Sequence, residues 1–252
     1  MTPKREEVCA WTMTIDAASS ATVENWRSCL DQDELAQADR FRFGKDRTAY
    51  IAAHWLVRNA LAIAGGLPPA CWRFVRGQYG KPKVDPALDR PGLQFNLSHS
   101  QGLVACAVTV GTAIGIDVEM TSRRVGLEIV ERYFSPAEVA VFRATPPKQQ
   151  RQMFFRLWTL KEAFVKATGE GLRRPMDSFS FSLDPISIAF HPHDPFEANK
   201  WTFFERRPTM NHALAIAIRR PPSPPVSLSV FEVVASGSGE CRLSAHCTLD
   251  VG

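Results

Sequence analysis

Two segments of the chain repeat one another. WLVRNALAIAGGL (residues 55–67) resembles WTLKEAFVKATGEGL (residues 158–172), and setting Trp55 on Trp158 matches Arg58 with Lys161, Ala60 with Ala163 and Leu61 with Phe164. Both segments run into glycine, the residue that most readily stops a helix. Each is preceded by a short, acidic helix candidate: LDQDELAQADRF in the first half and FSPAEVAVFRAT in the second. In the latter, Ser135 reads as an N-cap with Glu138 three residues on, the pattern of a capping box. Each is followed by β-rich sequence ending in a short apolar run of buried-strand type, GLVACAVTV (102–110) and HALAIAIRR (212–220). The order short helix, long helix, glycine stop, strands, stated twice, predicts an α+β protein built as a pseudo-dimer of two similar halves. The halves are expected at about 1–111 and 112–220. Residues 221–252 then read as a proline-rich connector (RRPPSPPVS), one more strand (LSVFEVV) and a Gly/Ser-rich tail, loose from about residue 236. In such a construction a ligand is expected in the cleft between halves.

Composition narrows the class. The chain has 252 residues, 45% hydrophobic and 22% charged, which excludes disordered and collagen-like chains. The N-terminal MTPKREEVCAW places charges where a signal peptide needs apolar residues, and no run approaches the roughly 20 apolar residues of a membrane span. A cytoplasmic protein with no membrane association is expected. The six cysteines form no CxxC pair, so neither a zinc site nor a disulfide framework is indicated, and reduced packing thiols are expected.

The net charge of +4 is unevenly spread. Residues 40–83 hold nine basic side chains against the single acid Asp46, a local +8. Such segregation suits an anionic ligand, phosphates above all. Within it, RGQYGKPKV (76–84) is a basic turn in which Gly80 and Pro82 fix the backbone around Lys81. FNLSHSQG (95–102) follows, and its Ser98, His99 and Ser100 resemble a phosphate-contacting turn. A Ser/His nucleophile pair is disfavoured, because neighbours on an extended chain point apart. Nucleic acid would also answer the charge, but no nucleic-acid motif is present.

The second half supplies carboxylates. In AIGIDVEM (113–120), strand alternation puts Gly115, Asp117 and Glu119 on one side. Two carboxylates about 6–7 Å apart either belong to a half-exposed strand or grip a hard cation. In the helix 154–169, Met153, Leu157, Leu160 and Phe164 make an apolar face, and Trp158, Glu162 and Lys166 fall at i, i+4, i+8 on another. Glu162 and Lys166 alone would read as a surface ion pair. Trp158 in line with them implies that the face is covered by a ligand, a partner or the other half.

GKP (80–82), FNLSHS (95–100), GIDVE (115–119) and WTLKEAFVKATGEGL (158–172), in this order, resemble the signature of the Sfp-type 4′-phosphopantetheinyl transferases, over roughly residues 30–220. The resemblance implies a Mg²⁺-dependent holo-[acyl-carrier-protein] synthase. It would move the 4′-phosphopantetheine arm of coenzyme A to a serine of an apo acyl, polyketide or peptidyl carrier protein, releasing adenosine 3′,5′-bisphosphate. It implies Asp117, Glu119 and Glu162 as metal ligands, with Glu162, directly or through a metal-bound water, also serving as base. Lys161 and Lys166 are implied at the pyrophosphate, Ser98 and His99 at the nucleotide phosphates, and Arg76, Lys81 and Lys45 around the phosphoadenosine, with Arg42 and Arg47 as alternatives to Lys45. Residues 125–152 are implied as the carrier-docking surface, and a monomer is expected because the duplication supplies its own second half. The other reading is a non-catalytic coenzyme A or carrier-binding module of the same fold.

Overall fold

The computed structural model describes residue 3 and residues 6–124, 126–235 and 241–249. The chain divides into two compact units, one of Met1–Thr112 with Pro225–Gly252 and one of Ala113–Pro224.

The first unit opens with β1 (Glu7–Thr14), which the reading above did not anticipate, and continues through α1 (Ser20–Arg27), α2 (Gln32–Asp39) and α3 (Gly44–Gly65). A hairpin, β2 (Phe74–Arg76) and β3 (Pro82–Val84), leads to β4 (Leu93–Ser100) and β5 (Leu103–Val110). Asp31 caps α2 and Glu34 reaches back to the Asp31 N–H, a second capping box matching that of Ser135 and Glu138. Gly66, at φ 76°, ends α3 in the left-handed conformation that glycine adopts without a Cβ penalty. The apolar side of α3 (Ile51, Leu56, Ala60, Leu61) packs against β4 and β5, with Trp26, Trp55 and Trp72 in the same core.

The second unit holds β6 (Ile114–Met120), α4 (Leu127–Tyr133), α5 (Pro136–Ala144), α6 (Pro147–Thr168), β7 (Phe179–Leu183), β8 (Ile186–Phe190), α7 (Pro195–Ala198), β9 (Thr202–Thr209) and β10 (His212–Ile218). Its three-stranded sheet runs β6-β10-β9, antiparallel throughout, and α6 lies across β6 and β10. Gly169, at φ 75°, ends α6 as Gly66 ends α3. Leu157, Leu160 and Phe164 are buried as the helical spacing predicts, and Phe164 meets Phe179, Phe190 and Trp201.

The chain then returns to the first unit. The expected extra strand is β11 (Ser227–Ala235), parallel to β1. The loose tail expected from about residue 236 needs correction. Cys241–Leu249 forms β12, antiparallel to β11, completing a five-stranded sheet β12-β11-β1-β5-β4. An uncovered edge offers a row of unpaired backbone groups, and the alternating CRLSAHCTL satisfies it. Residues 236–240 and 250–252 lie outside the described residues. Cys9 and Cys106 are buried strand residues whose thiols burial pushes up, as packing cysteines should be.

Candidate functional site

Gly115 fixes how closely β6 approaches α6. A Cβ at this position would stand 2.0 Å from the Ala163 carbonyl oxygen and 2.4 Å from the Ala167 nitrogen. Only a residue without a side chain lets strand and helix touch there. Because side chains alternate along β6, Asp117 and Glu119 leave the same face as Gly115, toward α6. Glu162 and Lys166 stand one turn apart on α6 to meet them.

Lys166 Nζ donates to Asp117 Oδ1 at 2.6 Å. Trp158 Nε1 donates to Glu119 Oε1 at 3.3 Å, and Arg123 lies 3.9 Å from the same oxygen. Burial, reinforced by the Asp117 charge, pushes the Glu162 carboxyl up to about 7, although Lys166 opposes the shift. The same two causes raise Glu119. The Asp117 charge thus acts on both glutamates and burial disfavours their ionised forms, a load that a hard cation would relieve. The donors are all oxygen, which suits Mg²⁺ better than a softer metal. Among the described residues no three His, Cys, Asp or Glu side chains already stand together as a ligand set, and the ammonium of Lys166 is on Asp117. The face of Trp158 is covered by its own unit: the ring stacks on Phe154 at 5.5 Å and meets Tyr133 edge-on at 5.6 Å.

Lys161 is a correction. Implied near the pyrophosphate, it is instead fully buried in the second unit. Its Nζ lies 2.8 Å from Glu138 Oε2 and donates to the carbonyls of Met176 and Phe179 at 2.7 Å each. An ammonium has three donors, and all are spent on the protein. The cause is helical phase: one residue from Glu162, Lys161 points about 100° away.

The first unit carries a cavity of about 840 Å³ whose wall includes Arg40, Tyr50, His54, Arg76, Pro82 and Leu97. Asp31, Asp33 and Glu34 also reach it; Asp33 is exposed, and the charges of Asp31 and Glu34 are taken up within the unit. Arg58 donates to Glu34 at 2.9 Å and to Asp31 at 2.9 Å, and His54 Nδ1 is 2.8 Å from Glu34. The His54 ring lies 4.1 Å from that of Tyr50. Arg40 and Arg76 remain as the cations of this wall, with aromatic faces beside them. Arg76 was singled out by sequence; Arg40 was inside the basic window but not singled out, and Tyr50 and His54 were missed. Lys45, exposed in the first turn of α3, does not line the cavity, nor do Arg42 and Arg47.

Lys81 follows Gly80, which takes φ 85° to close the β2–β3 turn, and burial with the neighbouring Lys83 pushes its ammonium down to about 8. Ser98 and His99 belong to β4 rather than to a turn, paired with Ala105 and Val104. Ser98 is buried and His99 exposed, on opposite faces, as alternation demands of adjacent residues. Residues 125–152 form α4, α5 and the start of α6; Val125 itself lies outside the described residues. Among the described residues no helix is long and apolar enough to cross a membrane.

Two family models match the chain, the 4′-phosphopantetheinyl transferase superfamily over residues 113–217 and the 4′-phosphopantetheinyl transferase N-terminal family over residues 17–111. The 4′-phosphopantetheinyl transferase HetI of Nostoc sp. is 36% identical over 217 residues, 84% of this chain and 88% of that protein. The 4′-phosphopantetheinyl transferase Sfp of Bacillus subtilis is 35% identical over 160 residues, 64% of this chain and 69% of that protein. The rat L-aminoadipate-semialdehyde dehydrogenase-phosphopantetheinyl transferase is 29% identical over 209 residues, 76% of this chain and 68% of that protein.

Proposed function

The chain belongs to the 4′-phosphopantetheinyl transferase superfamily, an enzyme family that modifies carrier proteins from coenzyme A, and from this premise we propose how its own residues divide the reaction. The acceptor is a serine hydroxyl of an apo acyl or peptidyl carrier protein, and the product released is adenosine 3′,5′-bisphosphate. The observation that carries the proposal is the close approach of β6 to α6 at Gly115, which sets Lys166 on Asp117 and brings Glu162 under the charge of Asp117 and Glu119.

Asp117, Glu119 and Glu162 are the residues that would hold Mg²⁺. When bound, the ion supplies charge neutralisation for the pyrophosphate of coenzyme A, the larger part of phosphoryl-transfer catalysis. Glu162 accepts the proton of the attacking serine hydroxyl. Burial and its acidic neighbours hold it up to about 7 before a cation arrives, and the cation would lower that value and leave it an ionised carboxylate able to accept the proton. Lys166 turns from Asp117 to the phosphate and stabilises or protonates the departing oxygen. Trp158 holds Glu119 in place through its indole N–H. The phosphoadenosine end is assigned to the cavity of the first unit, its phosphates to Arg40 and Arg76 and its base to the Tyr50 and His54 rings. Lys81, Ser98 and His99 supply further contacts to the nucleotide. The enzyme acts as a cytoplasmic monomer.

Incubating the protein with an apo carrier, coenzyme A and Mg²⁺ tests this reading by mass spectrometry. One phosphopantetheine increment on the carrier is expected, and Glu162→Gln should abolish it while the fold survives. A Glu162→Gln variant as fast as the wild type would remove Glu162 from the mechanism.

A further inference from the structure

A second cavity, of about 540 Å³, lies in the second unit between the N-terminal half of α6 and the β9–β10 hairpin. Five cations line it, Lys148, Arg151, Arg156, Arg206 and Arg207, against one carboxylate, Glu205. Glu205 is occupied: Arg156 donates to both its oxygens, at 2.7–3.1 Å, and braces α6 against β9. Lys148, Arg151 and Arg207 are exposed. Met210, at the hairpin tip beside them, is 96% exposed.

This charge does not serve the helix that carries it. Cations near a helix N-terminus oppose the macrodipole, and α6 has no acid in its first turn to compensate. Nor is the surface built for a small anion alone, because an apolar side chain stands bare beside the cations. An apolar anchor beside charges on a braced frame is the pattern of a protein-docking surface, and methionine adapts to varied partner shapes.

We propose that the groove between α6 and the β9–β10 hairpin docks the acidic face of the apo carrier protein, with Met210 as its apolar anchor and Lys148, Arg151 and Arg207 as its steering charges. The assignment rests on the transferase reading and adds to it the surface that selects the acceptor. Its warrant is charge complementarity: fatty acid, polyketide and nonribosomal peptide carriers share an acidic recognition helix, which would neutralise the groove, and exposed cations act chiefly on encounter and specificity. It extends the surface expected at residues 125–152 onto the hairpin, about sixty residues further along the chain.

The test measures phosphopantetheine transfer against the concentration of an apo acyl carrier protein and of an apo peptidyl carrier domain, for the wild type, Arg151→Glu/Arg207→Glu and Met210→Asp. All three side chains are exposed, so the fold is retained, and thermal melts check it. The carrier KM is expected to rise at least tenfold in the double variant, with kcat within twofold and the KM for coenzyme A unchanged. Reversing an acidic residue of the carrier helix to lysine should recover part of the loss. A carrier KM within twofold of wild type would overturn the groove, as would a fall in kcat alone. So would loss of affinity for a DNA or RNA oligonucleotide with no change toward the carrier. A wild type that modifies neither carrier would instead overturn the transferase reading.

Discussion

Arg58 of the first unit and Lys161 of the second occupy equivalent places in the duplicated helix, and each buries its cation against the capping-box glutamate of the short helix before it. Arg58 holds Glu34 and the carbonyls of Pro69 and Trp72; Lys161 holds Glu138 and the carbonyls of Met176 and Phe179. In both units the cation ties three segments together: the short helix, the long helix and the chain that follows the glycine stop. Glu138 is saturated as well, accepting from the Ser135 and Phe181 N–H groups at 2.8 Å each.

Removing one partner of such a pair leaves a buried charge without compensation. Lys161→Met is therefore expected to cost about 3–5 kcal/mol of stability. Lys161→Met/Glu138→Gln should recover part of that, because the second change removes the orphaned charge. Urea denaturation midpoints measure both. A single variant as stable as wild type would show that the pair does not brace the unit.

Gly115→Ala tests the contact that assembles the carboxylates. The added Cβ cannot sit 2.0 Å from the Ala163 carbonyl, so β6 must move off α6. Overpacking of this kind costs about 1–3 kcal/mol or more. Asp117 and Glu119 would retreat from Glu162, and turnover should fall more than tenfold. Denaturation and the transfer assay report the two effects separately.

Much of this was readable from residues because the signals are local. Ser135 with Glu138, the glycine stops and the alternation of Gly115, Asp117 and Glu119 each depend on a few neighbouring positions, and all stand in the structure where the pattern puts them. Lys161 was misplaced because a lysine reads alike whether its charge meets solvent, phosphate or a buried glutamate. The clue was present in its alignment with Arg58, since both follow an acidic capping box. Tyr50 and His54 are four residues apart on α3 and share a face, but Arg40 and Arg76 join them in one wall only when α2, α3 and the β2–β3 hairpin pack. β12 was hidden by the Gly/Ser-rich stretch before it, whose composition reads as the end of structure.

The metal-ligand role proposed for Glu162 predicts that metal binding depends on pH. Burial and Asp117 raise its carboxyl to about 7, so the metal-free protein carries a proton there at pH 6 and has lost it at pH 8. A cation must displace that proton, so Mg²⁺ affinity should rise about tenfold from pH 6 to pH 8 and level off above. Titration calorimetry without coenzyme A measures it. Glu162→Gln should weaken binding and flatten the profile, and a wild-type affinity constant across that range would exclude Glu162 as a ligand.

The nucleotide-binding role proposed for Lys81 predicts the opposite limb. Its ammonium is pushed down by burial and Lys83 to about 8, so its charge is present below that pH and lost as the pH rises through it. Lysine must be charged to attract phosphate, and coenzyme A affinity should therefore decline from pH 7.5 to pH 9.5. The bound anion favours the charged form and draws the midpoint upward. Arg in place of Lys keeps its charge throughout this range. Lys81→Arg should then hold its affinity to pH 9.5, and Lys81→Met should be weaker and flat. If the wild type and Lys81→Arg decline together, Lys81 does not meet the phosphates.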